Sequence, residues 1–173
     1  MIWNKMKLIG GACILGCTLL FVSCAVRFTM NGASIPEELK TVSVQYFVNR
    51  APLINPTLSQ SFTEALKDRI TKESRLILQN GVGDCDFSGE ITGYDLRAMA
   101  IQADAVSAET RLTITVKIRY KNFKNQKSSW EQNFSAYEDF PSEQNINSIE
   151  AQLVTSITDK LTENIFNKSF SDW

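Results

Sequence analysis

Histidine is absent from all 173 residues. That removes the side chain that most often titrates near neutral pH and most often binds metals. No Ser–His or Cys–His nucleophile can be assembled, and no Cys/His zinc spacing exists. Cysteine is scarce: Cys13, Cys17 and Cys24 crowd the N-terminus and leave Cys85 alone in the body of the chain. No phosphate-binding or dinucleotide glycine fingerprint occurs, and Ser34, Ser61 and Ser88 have no base or phosphate loop beside them. The one dense acidic cluster, Asp84, Asp86 and Glu90, lacks the twelve-residue pattern of a calcium loop and reads as a solvated turn. No pair of carboxylates is singled out for acid–base work. A basic excess is missing too, with 18 Lys and Arg against 19 Asp and Glu, so nucleic acid is not an expected partner. These absences together argue against an enzyme and against a metal or other cofactor.

What is present begins at the N-terminus. Lys5 and Lys7 precede an apolar or small-residue run over 8–22, which closes on Ser23 and Cys24. Basic region, apolar region and small-residue cleavage site are the parts of a bacterial export signal, and a cysteine directly after the cleavage site is the lipid acceptor of a lipoprotein. The run is shorter than the roughly 20 residues of a spanning helix and contains Gly10, Gly11 and Gly16. Cys17 is a competing acceptor, but it would leave only 8–16 as the apolar region, which favours Cys24. Phe21 stands where leucine is usual. The expected organisation is a signal peptide over 1–23 and one domain over 24–173. Losing Lys5 and Lys7 shifts the net charge from −1 to −3. With Cys24 acylated, Cys85 has no internal disulfide partner and is expected as a small semi-buried residue.

Along the mature chain, Val26, Phe28 and Met30 alternate with Arg27 and Thr29, a half-buried strand. Residues 41–47 repeat the pattern, with Val42, Val44 and Tyr46 on one face. A linker over 48–54 leads to Asn55 and Pro56, a capping residue and a first-turn proline. Leu58, Phe62, Ala65, Leu66 and Ile70 then follow at helical spacing. Residues 75–79 read as a short inner strand. Strand character resumes over 87–96 despite Gly89 and Gly93, which suggest close approach of a packed helix. Residues 98–109 fit either a loop or the splayed end of a long hairpin.

Residues 111–121 alternate most cleanly, Leu112, Ile114, Val116, Ile118 and Tyr120 against Arg111, Thr113, Thr115, Lys117, Arg119 and Lys121. A further strand over 129–137 directs Trp130 and Phe134 inward. A final helix from about Asn147 carries Ile149, Leu153, Val154, Ile157, Leu161, Ile165 and Phe166, with Asn145 or Asn147 as cap. Two single-faced helices and one sheet with a polar face give an α+β two-layer sandwich. Both helices pack on one face of a mixed, largely antiparallel sheet, and the other face is left open. On that open face Arg111, Lys117, Arg119 and Lys121 align. The row admits two readings, a solvated face that discourages aggregation or a site for phosphates and carboxylates.

Four stretches, 28–36 (FTMNGASIP), 55–68 (NPTLSQSFTEALKD), 87–94 (FSGEITGY) and 111–117 (RLTITVK), give the chain from Cys24 to Trp173 a resemblance to the LPS-assembly lipoprotein (LptE) family. The resemblance implies an outer-membrane lipoprotein held by the acyl chains on Cys24. It further implies a domain of two helices on a small sheet that sits inside, and helps fold, the β-barrel that inserts lipopolysaccharide. Some members bind lipopolysaccharide through basic residues, but those positions do not align residue by residue here. Ala25 after the cysteine, rather than Asp, resembles signals for outer-membrane sorting. The alternative is a periplasmic lipid- or glycolipid-binding lipoprotein without a barrel partner, which requires an apolar cavity between sheet and helices.

Overall fold

A computed structural model describes residues 35–53, 55–99 and 108–171, all within the unit Gly32–Trp173. The leader over 1–23, Cys24 and the strand through Val26, Phe28 and Met30 lie outside the described residues.

The elements are β1 (Thr41–Val44), β2 (Val48–Asn49), α1 (Leu58–Glu73), β3 (Ile77–Leu78), β4 (Cys85–Ala98), β5 (Glu109–Asn122), β6 (Trp130–Pro141) and α2 (Ile146–Phe170). The sheet order is β3-β1-β4-β5-β6, with β2 also paired to β4. Pairings among β1, β2, β3 and β4 are parallel, and the long β4–β5 and β5–β6 ladders are antiparallel. The architecture is the expected α+β sandwich with a mixed sheet.

Alternation on β5 decides which face is inside. Leu112, Ile114, Val116, Ile118 and Tyr120 are buried beside Phe87 and Ile91 of β4. Against them α1 sets Leu58, Phe62, Leu66 and Ile70, and α2 sets Val154, Ile157, Leu161, Ile165, Phe166 and Phe170. Each such large side chain contributes about 1.5–3 kcal/mol by leaving water, so the helices are held by their stripes rather than by propensity alone. The caps are local and polar. The Asn55 carboxamide oxygen accepts the amides of Thr57 (3.0 Å) and Leu58 (3.1 Å), and that of Asn145 accepts the amide of Asn147 (3.0 Å). Arg69 joins the two helices, donating to Thr162 Oγ1 (3.0 Å) and pairing with Glu73 and Asp159.

Four expectations need correction. The strand expected over 41–47 stops at Val44, and Tyr46 is 60% exposed while Phe47 is fully buried. The Phe47 amide donates to Thr63 Oγ1 (3.1 Å), and its ring meets Phe62 edge-on at 5.0 Å. This contact with α1 turns the chain over, and pairing to β4 resumes as β2 inside the expected linker. The strand expected over 75–79 is not an inner one. Only Ile77 and Leu78 pair, at the edge beyond β1; both are exposed, and the burial falls to Leu76.

Gly89 is required by a neighbouring strand, not by a helix. Its φ is +155°, and a Cβ would stand 1.9 Å from the Lys117 carbonyl oxygen and 3.0 Å from the Phe47 ring. Gly93 similarly faces Thr115, beside a register shift between Ile91 and Gly93. Finally, Cys85 is fully rather than partly buried. The 98–109 region begins as a hairpin, with Ala98 opposite Thr110 and the Met99 amide on the Glu109 carbonyl (2.8 Å).

Candidate interaction face of the sheet

The face of the sheet away from the helices is polar, and β5 runs through it. Odd-numbered positions of β5 point there because the even-numbered ones are taken by the core. The structure thus places Arg111, Lys117, Arg119 and Lys121 on one face as expected, but it separates them into two groups. Lys117, Arg119 and Lys121 occupy one half, and Arg111 stands six residues back, roughly 20 Å along the strand. Thr113 and Thr115 fill the interval, and Thr115 Oγ1 lies 2.9 Å from Ser135 Oγ on β6.

Most of these cations have partners that the strand's own sequence does not reveal. Arg111 grips Asp139 with two bonds, from Nε (2.7 Å) and Nη2 (2.8 Å), and its guanidinium lies 3.7 Å over the Tyr137 ring. Those bonds hold the Asp139 carboxyl below the usual range. Lys117 Nζ and Arg119 Nε share Glu131, at 2.8 and 2.6 Å. Hydrogen bonds from Lys117 first, then Arg119, lower the Glu131 carboxyl to about 2. Glu90 on β4, opposite Lys117, pairs with Arg50 at 2.8 Å. Only Lys121 of the four makes no ion pair among the described residues.

The face is therefore a lattice of matched charges around a hydroxyl-lined centre, not a bare cationic stripe. Ser88, Gly89, Glu90, Lys117, Arg119 and Glu131 line a shallow depression of about 240 Å³ in it. Period-two reading of β6 sends Glu131 and Asp139 to this face, and a hairpin centred on Asn125 brings them opposite Arg119 and Arg111. The signal was present, but it needed the register.

The acidic cluster is not a solvated turn. Asp84 Oδ2 accepts the amides of Lys40 and Thr41 and the Thr41 hydroxyl, each at 3.0 Å, while Lys124 Nζ sits 3.1 Å from Oδ1. The Lys40 amide bond, the Lys124 contact and the Thr41 amide bond hold the carboxyl far below the usual carboxylate range. Asp86 accepts from Ser43 Oγ (2.6 Å) and Gln45 Nε2 (2.8 Å). These carboxylates stitch β1 to β4. Burial pushes the Cys85 thiol up to about 12, which leaves it protonated and unreactive near neutrality. Among the described residues no group of three or more Cys, Asp and Glu is arranged to hold a metal ion. Among the same residues no helix is long and apolar enough to cross a membrane.

Among the described residues, one face of the sheet is closed by the two helices over an apolar core, and the other is open and polar. Residues 39–169 match the lipopolysaccharide-assembly family LptE, and the chain belongs to that family. No curated protein matches it. Among solved structures, the hypothetical protein CT253 from Chlamydia trachomatis is similar at TM-score 0.55 and 11% identity, over 78% of this chain and 99% of that one. A minor lipoprotein from Acinetobacter baumannii aligns at TM-score 0.49 and 18% identity, over 75% of this chain and 91% of that one. The rare lipoprotein B from Shewanella oneidensis aligns at 0.48 and 10%, over 74% and 92%. At these identities the likeness concerns the fold.

Proposed function

We propose that the protein is an outer-membrane lipoprotein, processed after Ser23 and acylated on Cys24, that plugs and assists assembly of the β-barrel exporting lipopolysaccharide. It works by surface complementarity and turns nothing over. The family match over residues 39–169 carries this reading. The two-faced sheet supports it, because barrel lumens are typically polar and the open face offers paired charges and hydroxyls rather than apolar surface. Several acyl chains on Cys24 would provide the stable anchoring that one chain does not.

Direct contact with lipopolysaccharide would fall to Arg111, Lys117, Arg119 and Lys121. Lys121 is the side chain free to take a phosphate without first leaving a carboxylate. The alternative, a lipid carrier without a barrel, needs an apolar cavity. Leu58, Phe62 and Ile114 have no exposed surface, and Leu153 packs part-buried against the core they belong to. The interior at those positions is filled by side chains. Co-purification in mild detergent tests the proposal: a large outer-membrane barrel should accompany the tagged lipoprotein, and its absence would refute the partnership.

A further inference from the structure

The strand pairings gather a distinctive set of residues at one end of the sheet. β1, β3 and β4 begin there, β5 ends there and β6 begins there, as Thr41 opposite Ile77, Val42 opposite Cys85 and Tyr120 opposite Trp130 require. The β5–β6 turn projects from this end. Asn122 Oδ1 accepts the amides of Lys124 (2.9 Å) and Asn125 (2.8 Å), and the Phe123 amide is fixed on the Asp84 carbonyl (2.9 Å). The turn is thus rigid, and it holds Phe123 49% exposed. Two residues before Asp84, in the neighbouring loop, Val82 is 73% exposed. Around Phe123 stand Lys121, Lys124 and Lys127, and no acid occurs between Glu109 and Glu131.

The acids at this end come from other segments. Asp84 is held by Lys124, Asp86 is bonded to Ser43 and Gln45, and Glu37 and Glu38 are exposed on the chain leading into β1. Among the described residues, Lys121 and Lys127 of the turn make no ion pair, and exposed Lys40 beside the start of β1 adds a third such cation at this end. An aromatic side chain held out of the core among lysines suits the boundary between phosphate headgroups and acyl chains.

The described chain also begins at this end of the sheet. The described fold starts at Ile35, whose carbonyl accepts from Arg75 Nη2 (3.0 Å) just before β3, at the same end of the sheet. Ile35 lies eleven positions after Cys24, a reach of at most about 40 Å. We infer that the β5–β6 turn and the loop beside it form a second membrane contact. Phe123 and Val82 enter the headgroup region of an anionic phospholipid surface, and Lys121 and Lys127 lie on its phosphates. The inference rests on acylation of Cys24, which brings that leaflet within reach. It fixes the orientation of the described domain: the end of the sheet where β1, β3 and β4 begin faces the membrane, and the end where β6 closes at Pro141 faces away.

The full lipoprotein, reconstituted in vesicles, tests it. Single cysteines at positions 82 and 123 (V82C, F123C), and at the opposite end (E143C), carry an environment-sensitive fluorophore, with Cys85 shielded by burial. In vesicles containing phosphatidylglycerol, the labels at 82 and 123 should be protected from aqueous acrylamide and the label at 143 should not. Lys121→Gln with Lys127→Gln should lower the docked-to-undocked ratio roughly 25-fold, about fivefold per lysine. Labels at 82 and 123 as accessible as that at 143, on protein that still floats with vesicles, would overturn the tip and leave the anchor standing. Equal protection on phosphatidylcholine alone, unchanged by the lysine substitutions, would overturn the anionic contact. Failure to float with neutral vesicles would remove the acylated Cys24 and the tip together.

Discussion

Asp84 and Thr41 bond each other in both directions. The carboxylate accepts the Thr41 amide and hydroxyl, and the Asp84 amide donates to Thr41 Oγ1 at 2.9 Å. Substituting Asp84 with Ala strands three donors and the Lys124 ammonium, so a loss of about 2 kcal/mol is expected in urea unfolding. The pH dependence has a definite sign. A carboxyl whose folded pKa is depressed stabilises above its unfolded value, about pH 4, and loses that stabilisation as pH falls toward the lower folded value. The gap between wild type and D84A should be full at neutral pH and narrow below about pH 4.

The two strand glycines are expected to behave differently. Gly89→Ala places a methyl 1.9 Å from the Lys117 carbonyl oxygen at a φ of +155°, so β4 and β5 must part there. A loss of more than about 3 kcal/mol follows. Gly93→Ala meets the Thr115 side chain at 3.1 Å, which a small shift relieves, and about 1 kcal/mol is expected. Thermal unfolding of the two variants gives the ranking.

Arg69 is the polar tie between the helices, and its side chain is only 14% exposed. Replacing it with Met keeps much of the packing and removes the bonds to Glu73, Asp159 and Thr162. A loss of about 1–2 kcal/mol is expected. Circular dichroism should show both helices retained.

Glu131 decides whether the basic pair Lys117 and Arg119 is available. Glu131→Gln frees both cations and should strengthen binding of phosphorylated glycolipid, whereas Lys117→Glu with Arg119→Glu should weaken it with the fold intact. Because those cations hold the Glu131 carboxyl down to about 2, the wild-type pairing persists through mild acid. Titration with lipopolysaccharide in micelles reads both effects, and unchanged binding in all variants would return the row to a solvated face.

Sheet and helices were legible wherever one periodicity ran long. β5, α1 and α2 each bury a long apolar set, so residues 111–121 and the stripe from Leu58 to Ile70 read directly. Legibility failed where a single tertiary contact overrode local pattern. Phe47 left its strand alternation for Phe62 and Thr63, and Ile77 and Leu78 are apolar yet lie on an exposed edge. Gly89 signalled close approach correctly but not by what, since the answer lay 28 residues away in the Lys117 carbonyl. On the sheet face the cations could be read from β5 alone. Their neutralisation by Glu131 and Asp139 could not, because it depends on the register of a second strand.

The plug-and-assembly role is tested most directly by photo-crosslinking from within cells. A photoreactive residue at Thr113, on the open sheet face, is compared with one at Lys67 on α1. Position 113 should crosslink to one large outer-membrane β-barrel, identified by mass spectrometry, while position 67 gives far less of it. A domain that reaches the membrane yet crosslinks to no barrel from position 113 would contradict the plug-and-assembly role.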